Sequence, residues 1–432
     1  MRKLGGDRAG TVAAGRFLAN DKVTPGEIFT AAGAACAAKV GGSTGDLIAI
    51  QDTCHLSYPG RPLGPGGDGT VPGLFVHPVL AVDAADGTAL GLVAGEVWTR
   101  QPGKVANRKA RAIEDKESRR WLQQGLAARA VLSGARHVTL IADRESDIYE
   151  AWALLPVPGH FDLISRARSD RRLAPSAAAV EDEVEAAASA AAAPSTLFAA
   201  LAQWPVAGCT RLALPARADR ARRCARLALK FGEVEIAKPT ICRSKQVARS
   251  LTLRVVEVCE VGAPADVEPI HWRLLTTLPV DSLDDAFAVI DRYRQRWRIE
   301  EYFRVLKRSG MDLEGARLEG AHALLNLVAM GAVAAVPVMT LVEGRAAGPE
   351  RRAASVIGPD ALRFAAALCA TLEGRTDQQR NSHPPESLAW LSWIIGRLGG
   401  WSGYTRYGPP GPKTMADGWH LFRTMHHGWT LR

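Results

Sequence analysis

Hydrophobic positions along the chain repeat first with the period of strands and then with that of helices. Asp46–Gln51 (DLIAIQ) reads as a buried strand closed by Asp52. Gly60–Gly73 (GRPLGPGGDGTVPG) is a loop by its turn residues. Leu74–Asp83 and Ala89–Arg100 flank a turn at Ala84–Gly87 and predict a hairpin. Glu114–Leu132 has helical apolar spacing, and His137–Ala142 (HVTLIA) is a second apolar strand, closed by Asp143. Glu145–Leu155 is helical again and His160–Arg166 is a strand. That order predicts an α/β sheet covered by helices, with functional groups at the strand ends.

Residues 171–270 break the rhythm. An Ala/acidic stretch, Val180–Ala193, leads into short alternating segments at Thr210–Pro215, Arg226–Ala237 and Ser250–Cys259, which read as a β-rich insertion. The sheet resumes at Trp272–Leu278, and Ser282 caps a long helix running to about Arg308, with Asp284 and Asp285 in its first turn. Beyond Ala321 the pattern is mainly helical. The apolar run Leu327–Val342 is short for a membrane span and contains Pro337, so it reads as a buried core helix.

Composition narrows the class. The chain has 432 residues, 47% hydrophobic and 23% charged, which excludes collagen-like, coiled-coil and largely disordered chains. The net charge is +9 and Arg outnumbers Lys about fourfold. Arg suits phosphate oxygens, so the balance fits either a nucleic-acid partner or an Arg-rich solvated surface. The cluster Arg217, Arg220, Arg222, Arg223 and Arg226 has the same two readings. Seven scattered cysteines without a C-x-x-C pair, and no apolar leader, fit a reducing cytoplasm with no membrane partner.

The candidate chemistry lies on the predicted long helix and at two strand ends. Tyr293, Arg296, Glu300 and Lys307 stand at offsets of 3, 7 and 14. At roughly 100° per residue they share a sector of about 60°. Such a face is either a solvated stripe or a charged binding surface. Asp52 and Asp143 each end an apolar strand, where an Asp either opens a loop or points into a site. Three converging carboxylates repel one another unless a cation lies between them, and oxygen-only ligands suit Mg²⁺ or Mn²⁺ rather than zinc. The glycines Gly64, Gly66 and Gly69 match a dinucleotide spacing, but Pro65 and Pro72 interrupt them and no helix follows. His77 reads as packed in its strand, and His55 as either a neighbour of Asp52 or a loop residue.

The spacing Tyr293, Arg296, Glu300, Lys307 resembles the signature of insertion-sequence-four family DDE transposases, the group containing the transposon-five transposase. QDTCHLSY around Asp52, EDKESRRWL at Glu114–Leu122, ADRESDIYE around Asp143, WRLLTTLPV at Trp272–Val280 and YRQRWRIEEYFRVLK around Glu300 are similar to family blocks, in family order. The resemblance implies a ribonuclease-H-like core, residues 45–170 and 271–325, interrupted by the β-rich insertion at 171–270. A short helical DNA-binding region, 1–44, and a helical region suited to dimerisation, 326–432, flank it. It further implies that Asp52, Asp143 and Glu300 bind Mg²⁺, with Mn²⁺ able to substitute, and that a homodimer cuts and joins double-stranded DNA at transposon ends and target in the bacterial cytoplasm. By position, Tyr293, Arg296 and Lys307 hold phosphates, Trp272 stacks an extruded base, and Arg166 and Arg168 reach the DNA end. Against the family pattern the N-terminal region is short by ~30 residues, less than a domain. A second function follows from that: a truncated transposase without end recognition, acting as a non-catalytic inhibitor or DNA-binding protein.

Overall fold

The computed structural model describes residues 8–40, 45–67, 69–101, 111–175, 195–214, 222–265 and 267–431. Val180–Ala193, Arg217 and Arg220 lie outside them.

Two helices, α1 (Arg8–Leu18) and α2 (Pro25–Val40), precede strands β1 (Asp46–Gln51), β2 (Cys54–Ser57), β3 (Gly73–Asp83) and β4 (Ala89–Trp98). Helix α3 (Arg119–Val131), β5 (His137–Ala142), α4 (Tyr149–Leu154) and β6 (Phe161–Arg166) follow. Next come α5 (Leu197–Gln203), β7 (Gly208–Leu214), β8 (Arg223–Ala237), β9 (Ser250–Glu260) and β10 (His271–Thr276). The rest is helical: α6 (Leu283–Arg294), α7 (Trp297–Arg304), α8 (Ala321–Gly344), α9 (Pro359–Leu372), α10 (Leu388–Leu398) and α11 (Pro412–Thr430).

All ten strands form one mixed sheet in the order β2-β3-β1-β5-β6-β10-β9-β8-β7, with β4 on the other edge of β3. β5 is parallel to β1 and β6 parallel to β5, while β10 runs antiparallel to β6. The segment between 171 and 270 is β-rich, as its alternation suggests. Its strands do not make a sheet of their own, because β10 pairs with β6 on one side and β9 on the other. The insertion thus prolongs the central sheet.

Side-chain alternation sorts the core into two layers. Ile48, Ile50, Leu80, Val82 and Ile141 face the layer that holds Tyr293, Ile299, Tyr302 and much of α8 and α10. Leu47, Ala49, Val79, Ala81, Val138 and Leu140 face the other, with residues of α2, α3, α4 and α5. Helix α8 is long and apolar enough to cross a membrane, yet most of its apolar stretch is buried in protein. Pro337 lies inside it. Asn326 on α8 is fully buried and donates to Leu18 O (2.9 Å) and Val23 O (2.8 Å), fastening the N-terminal helices to the core. Asn326→Ala strands those carbonyls and should cost about 1–3 kcal/mol, seen as a lowered melting temperature. An unchanged melting curve would remove Asn326 from this role.

The long helix expected from Ser282 to about Arg308 is broken. Ser282 does cap α6, through a capping box with Asp285. The backbone then tightens: Gln295, Arg296, Arg298 and Ile299 each donate three residues back, separating α6 from α7. After Arg304 it widens into a π-helical turn, Val305–Ser309. Lys307 lies within that turn.

β1 and β2 are one strand interrupted at Asp52 and Thr53. Both pair with β3 in a single register, Gln51 opposite Val79 and Cys54 opposite Val76, which sets Asp52 opposite Pro78. The bonds from Ala84 N to Asp46 O and from Tyr58 N to Pro72 O fix the parity: even-numbered residues of this stretch aim their peptide groups at β1 and β2. Pro78 holds such a position and has no N–H, so the ladder opens at Asp52.

Candidate active site

Asp52 and Asp143 leave the sheet side by side. β1 and β5 are parallel with Ile50 opposite Ile141, so the residues after them end neighbouring strands about 5 Å apart. By alternation both carboxylates share the face of Ile50 and Ile141, against which α6 and α7 pack. Glu300 lies on α7. Helix α7 is tied to α8 by an ion pair between Arg298 and Glu343.

Arg296 joins the acids. Its guanidinium lies 3.4 Å from Asp52 Oδ2 and 2.7 Å from Glu300 Oε1. Burial opposes its charge, but Tyr293, Glu300 and Asp52 outweigh that and raise its pKa. Asp52 is pushed up to about 7, first by burial and then by the Asp143 charge; the Thr53 N–H and Arg296 pull it down, and Glu145 adds to the rise. Two acids so placed lack positive charge, and Arg296 supplies only part of it.

The other candidates distribute around this point. Tyr293 is buried, which raises its pKa, and it feels the charges of Arg296, Arg166 and Asp143. Trp272, half-buried on β10, meets Tyr293 edge to face with ring centroids 5.8 Å apart. Arg166 at the end of β6 donates to His271 O (2.8 Å). Arg168 is exposed just beyond, its own N–H given to Asp147 Oδ2 (2.9 Å). Because β10 runs antiparallel to β6, its first residues adjoin the end where β5 delivers Asp143. Lys307, within the π-helical turn, hydrogen-bonds Cys54 Sγ, two residues from Asp52; burial still pushes that thiol up to about 12.

Sequence reasoning passed over several neighbours. Thr53 N–H donates to Asp52 Oδ1 (2.7 Å), and Glu145 N–H donates to Asp143 Oδ1 (2.7 Å). Glu314 accepts from Ser57 N (3.0 Å) at the far end of β2. Only Glu145, two residues beyond Asp143 in an acidic block, left a signal in the local sequence. His55 packs on Phe75 with centroids 5.2 Å apart. Packing accounts for two of the three spaced glycines, since a Cβ on Gly64 would fall 1.5 Å from Arg100 O and one on Gly66 would fall 2.2 Å from His55 Nε2, and Gly69 holds a left-handed turn position at φ +78°.

Residues 76–336, more than half of the chain, match the transposase DDE domain. The chain belongs to this family of DDE transposases. The transposase is therefore an enzyme that acts on DNA, and its mixed α/β sheet is consistent with a ribonuclease-H-like core. The match includes Asp143 and Glu300 and begins after Asp52, whose position here rests on the strand pairing alone.

Transposases of this family use divalent metal ions, and the residues present suit one. Asp52, Asp143 and Glu300 offer only carboxylate oxygen, and Asp52 and Asp143 lie close enough to repel each other. Among the described residues, the one His/Cys/Asp/Glu trio whose ligand atoms all lie within 4.8 Å is Glu257, Cys259 and His271, on β9 and β10. That trio suits a metal poorly. Glu257 already meets Arg273 (3.0 Å), Lys230 (3.7 Å) and His271 (2.9 Å), so two permanent cations cancel its charge. Asp52, Asp143 and Glu300 stand wider apart, with Arg296 between Asp52 and Glu300.

Proposed function

We propose that this transposase belongs to the insertion-sequence-four group and moves DNA by metal-dependent cut-and-paste phosphoryl transfer. The reading is carried by one observation: Arg296 meets both Asp52 (3.4 Å) and Glu300 (2.7 Å), far apart in sequence, while Asp143 ends the strand paired with the one that Asp52 ends. Asp52, Asp143 and Glu300 would hold Mg²⁺, or Mn²⁺ in its place. Bound there, such ions activate water and stabilise the leaving oxygen of a phosphodiester.

The chain's own groups orient the DNA. Arg296, Tyr293 and Lys307 hold phosphates beside the acids, and Arg166 and Arg168 extend that grip to the DNA end. Trp272, backed by Tyr293, stacks a base turned out of the duplex and offsets part of the few kcal/mol that extrusion costs. Water attacks the terminal phosphodiester and releases a 3′-OH. That hydroxyl attacks the opposite strand to close a hairpin, which is reopened, and then joins target DNA. Two copies acting together in the bacterial cytoplasm would treat both ends. The rival reading, a catalytically silent DNA-binding protein, gains nothing from a site that keeps all three carboxylates.

Incubated with Mg²⁺, labelled terminal-repeat DNA and a target plasmid, the purified protein should give nicked, hairpin and joined products in that order. Cleavage without hairpins or joining would reduce it to a nuclease, and absence of all three products with intact ends would reject the reading.

A further inference from the structure

Behind Asp52, on the opposite face of the sheet, lies a histidine whose two ring nitrogens both serve the residues flanking that acid. His77 of β3 is fully buried. Its Nδ1 lies 2.8 Å from Thr53 Oγ1 and its Nε2 lies 3.4 Å from Gln51 Oε1. Burial, and then the Arg120 charge, hold its pKa down to about 3, so the ring is neutral and has one donor and one acceptor. Facing the Gln51 carbonyl, Nε2–H donates, and Nδ1 accepts from the Thr53 hydroxyl.

Thr53 carries the effect forward. Its side chain goes back to His77, while its N–H donates to Asp52 Oδ1 at 2.7 Å. The ladder that would otherwise fix this backbone is missing, because Pro78 lies opposite Asp52 without an N–H. The histidine is itself clamped. Trp121 of α3 meets it edge-on with centroids 4.7 Å apart, and the adjoining Arg120 pairs with Glu96, the residue opposite His77 on β4.

We propose that His77 is a positioning residue for Asp52, acting through Thr53 and replacing the ladder bond that Pro78 cannot make. It also gives the EDKESRRWL block a function, since its Trp121 packs against this histidine from α3 and its Arg120 holds Glu96 opposite it. The proposal rests on the reading of Asp52 as a metal ligand, and the experiment separates the two.

Mn²⁺ binding to the full chain is followed by electron paramagnetic resonance, with thermal melting alongside, for wild type and for Asp52→Asn, Thr53→Val, Thr53→Ser, His77→Phe and His77→Asn. Outer-shell partners of metal ligands are commonly worth about 10–100-fold in affinity. Thr53→Val, which keeps shape and N–H but removes the hydroxyl, should weaken Mn²⁺ by that factor without moving the melting temperature by more than a few degrees. His77→Phe should match it. Thr53→Ser, and His77→Asn with an acceptor near the Nδ1 position, should recover most of the loss. If Thr53→Val and His77→Phe bind Mn²⁺ like wild type while Asp52→Asn does not, the positioning role is wrong and the metal reading survives. If Asp52→Asn itself binds like wild type, the metal reading falls and takes this inference with it.

Discussion

Glu300→Gln should reduce DNA end cleavage by about a thousandfold or more while leaving end binding nearly intact. The substitution keeps the size of the side chain and its hydrogen bond from Arg296, whose Nη2 lies 2.7 Å from Oε1. It removes one of three negative charges available to divalent ions. Stabilisation of a developing alkoxide by a bound ion contributes several kcal/mol, and each 1.4 kcal/mol is a factor of ten in rate. Glu300 lies on an exposed part of α7, so the fold should tolerate the change. Single-turnover cleavage of labelled ends, with binding measured in Ca²⁺, separates the two effects. Cleavage within tenfold of wild type would remove Glu300 from the catalytic set.

The second large effect is on stability. Without divalent ions, Asp52 titrates at about 7 in the folded protein, against about 4 for a free aspartate. Between those values the folded state keeps a proton that the unfolded state has lost. Stability therefore falls as pH rises from about 4 to 7 and stays low above it. The shift corresponds to on the order of 2–4 kcal/mol, reduced somewhat by the remaining solvent contact of the carboxylate. Asp52→Asn carries no such charge. In EDTA at pH 8 the variant should be the more stable protein, and the difference should shrink towards pH 5. Mg²⁺ should raise the melting temperature of wild type more than that of the variant. Parallel melting curves across this pH range would contradict the electrostatic account of Asp52.

Much of the site's frame was legible because period-2 alternation is strictly local. LIAIQ and VTLIA each place their closing Asp on the face of the preceding Ile, and their pairing sets both acids on one side. The cap at Ser282 was legible for the same reason. What stayed hidden depends on partners distant in the chain. Four bonds drawn three residues back separate α6 from α7, and a π-helical turn follows α7; neither has a marker as plain as proline or glycine. Arg296 could be placed beside Glu300 by helical spacing, but its second partner, Asp52, lies 244 residues away. His77 read correctly as packed. Its bearing on Asp52 needs the β1–β3 register, which alternation alone does not supply. The segment 171–270 announced its strands but not that they extend the central sheet.

That continuity has a geometric consequence. Asp143 leaves β5, and Trp272 stands on β10, two strands away across β6. Hydrogen-bonded strands keep a spacing of about 4.8 Å, so the separation is a length of about 10 Å written in peptide bonds. If Trp272 receives a turned-out base while Asp143 attends the severed bond, the offset between them along the DNA is gauged by the backbone. Changing either side chain would alter how well each end is gripped; moving the gauge mark itself would take the gain or loss of a strand.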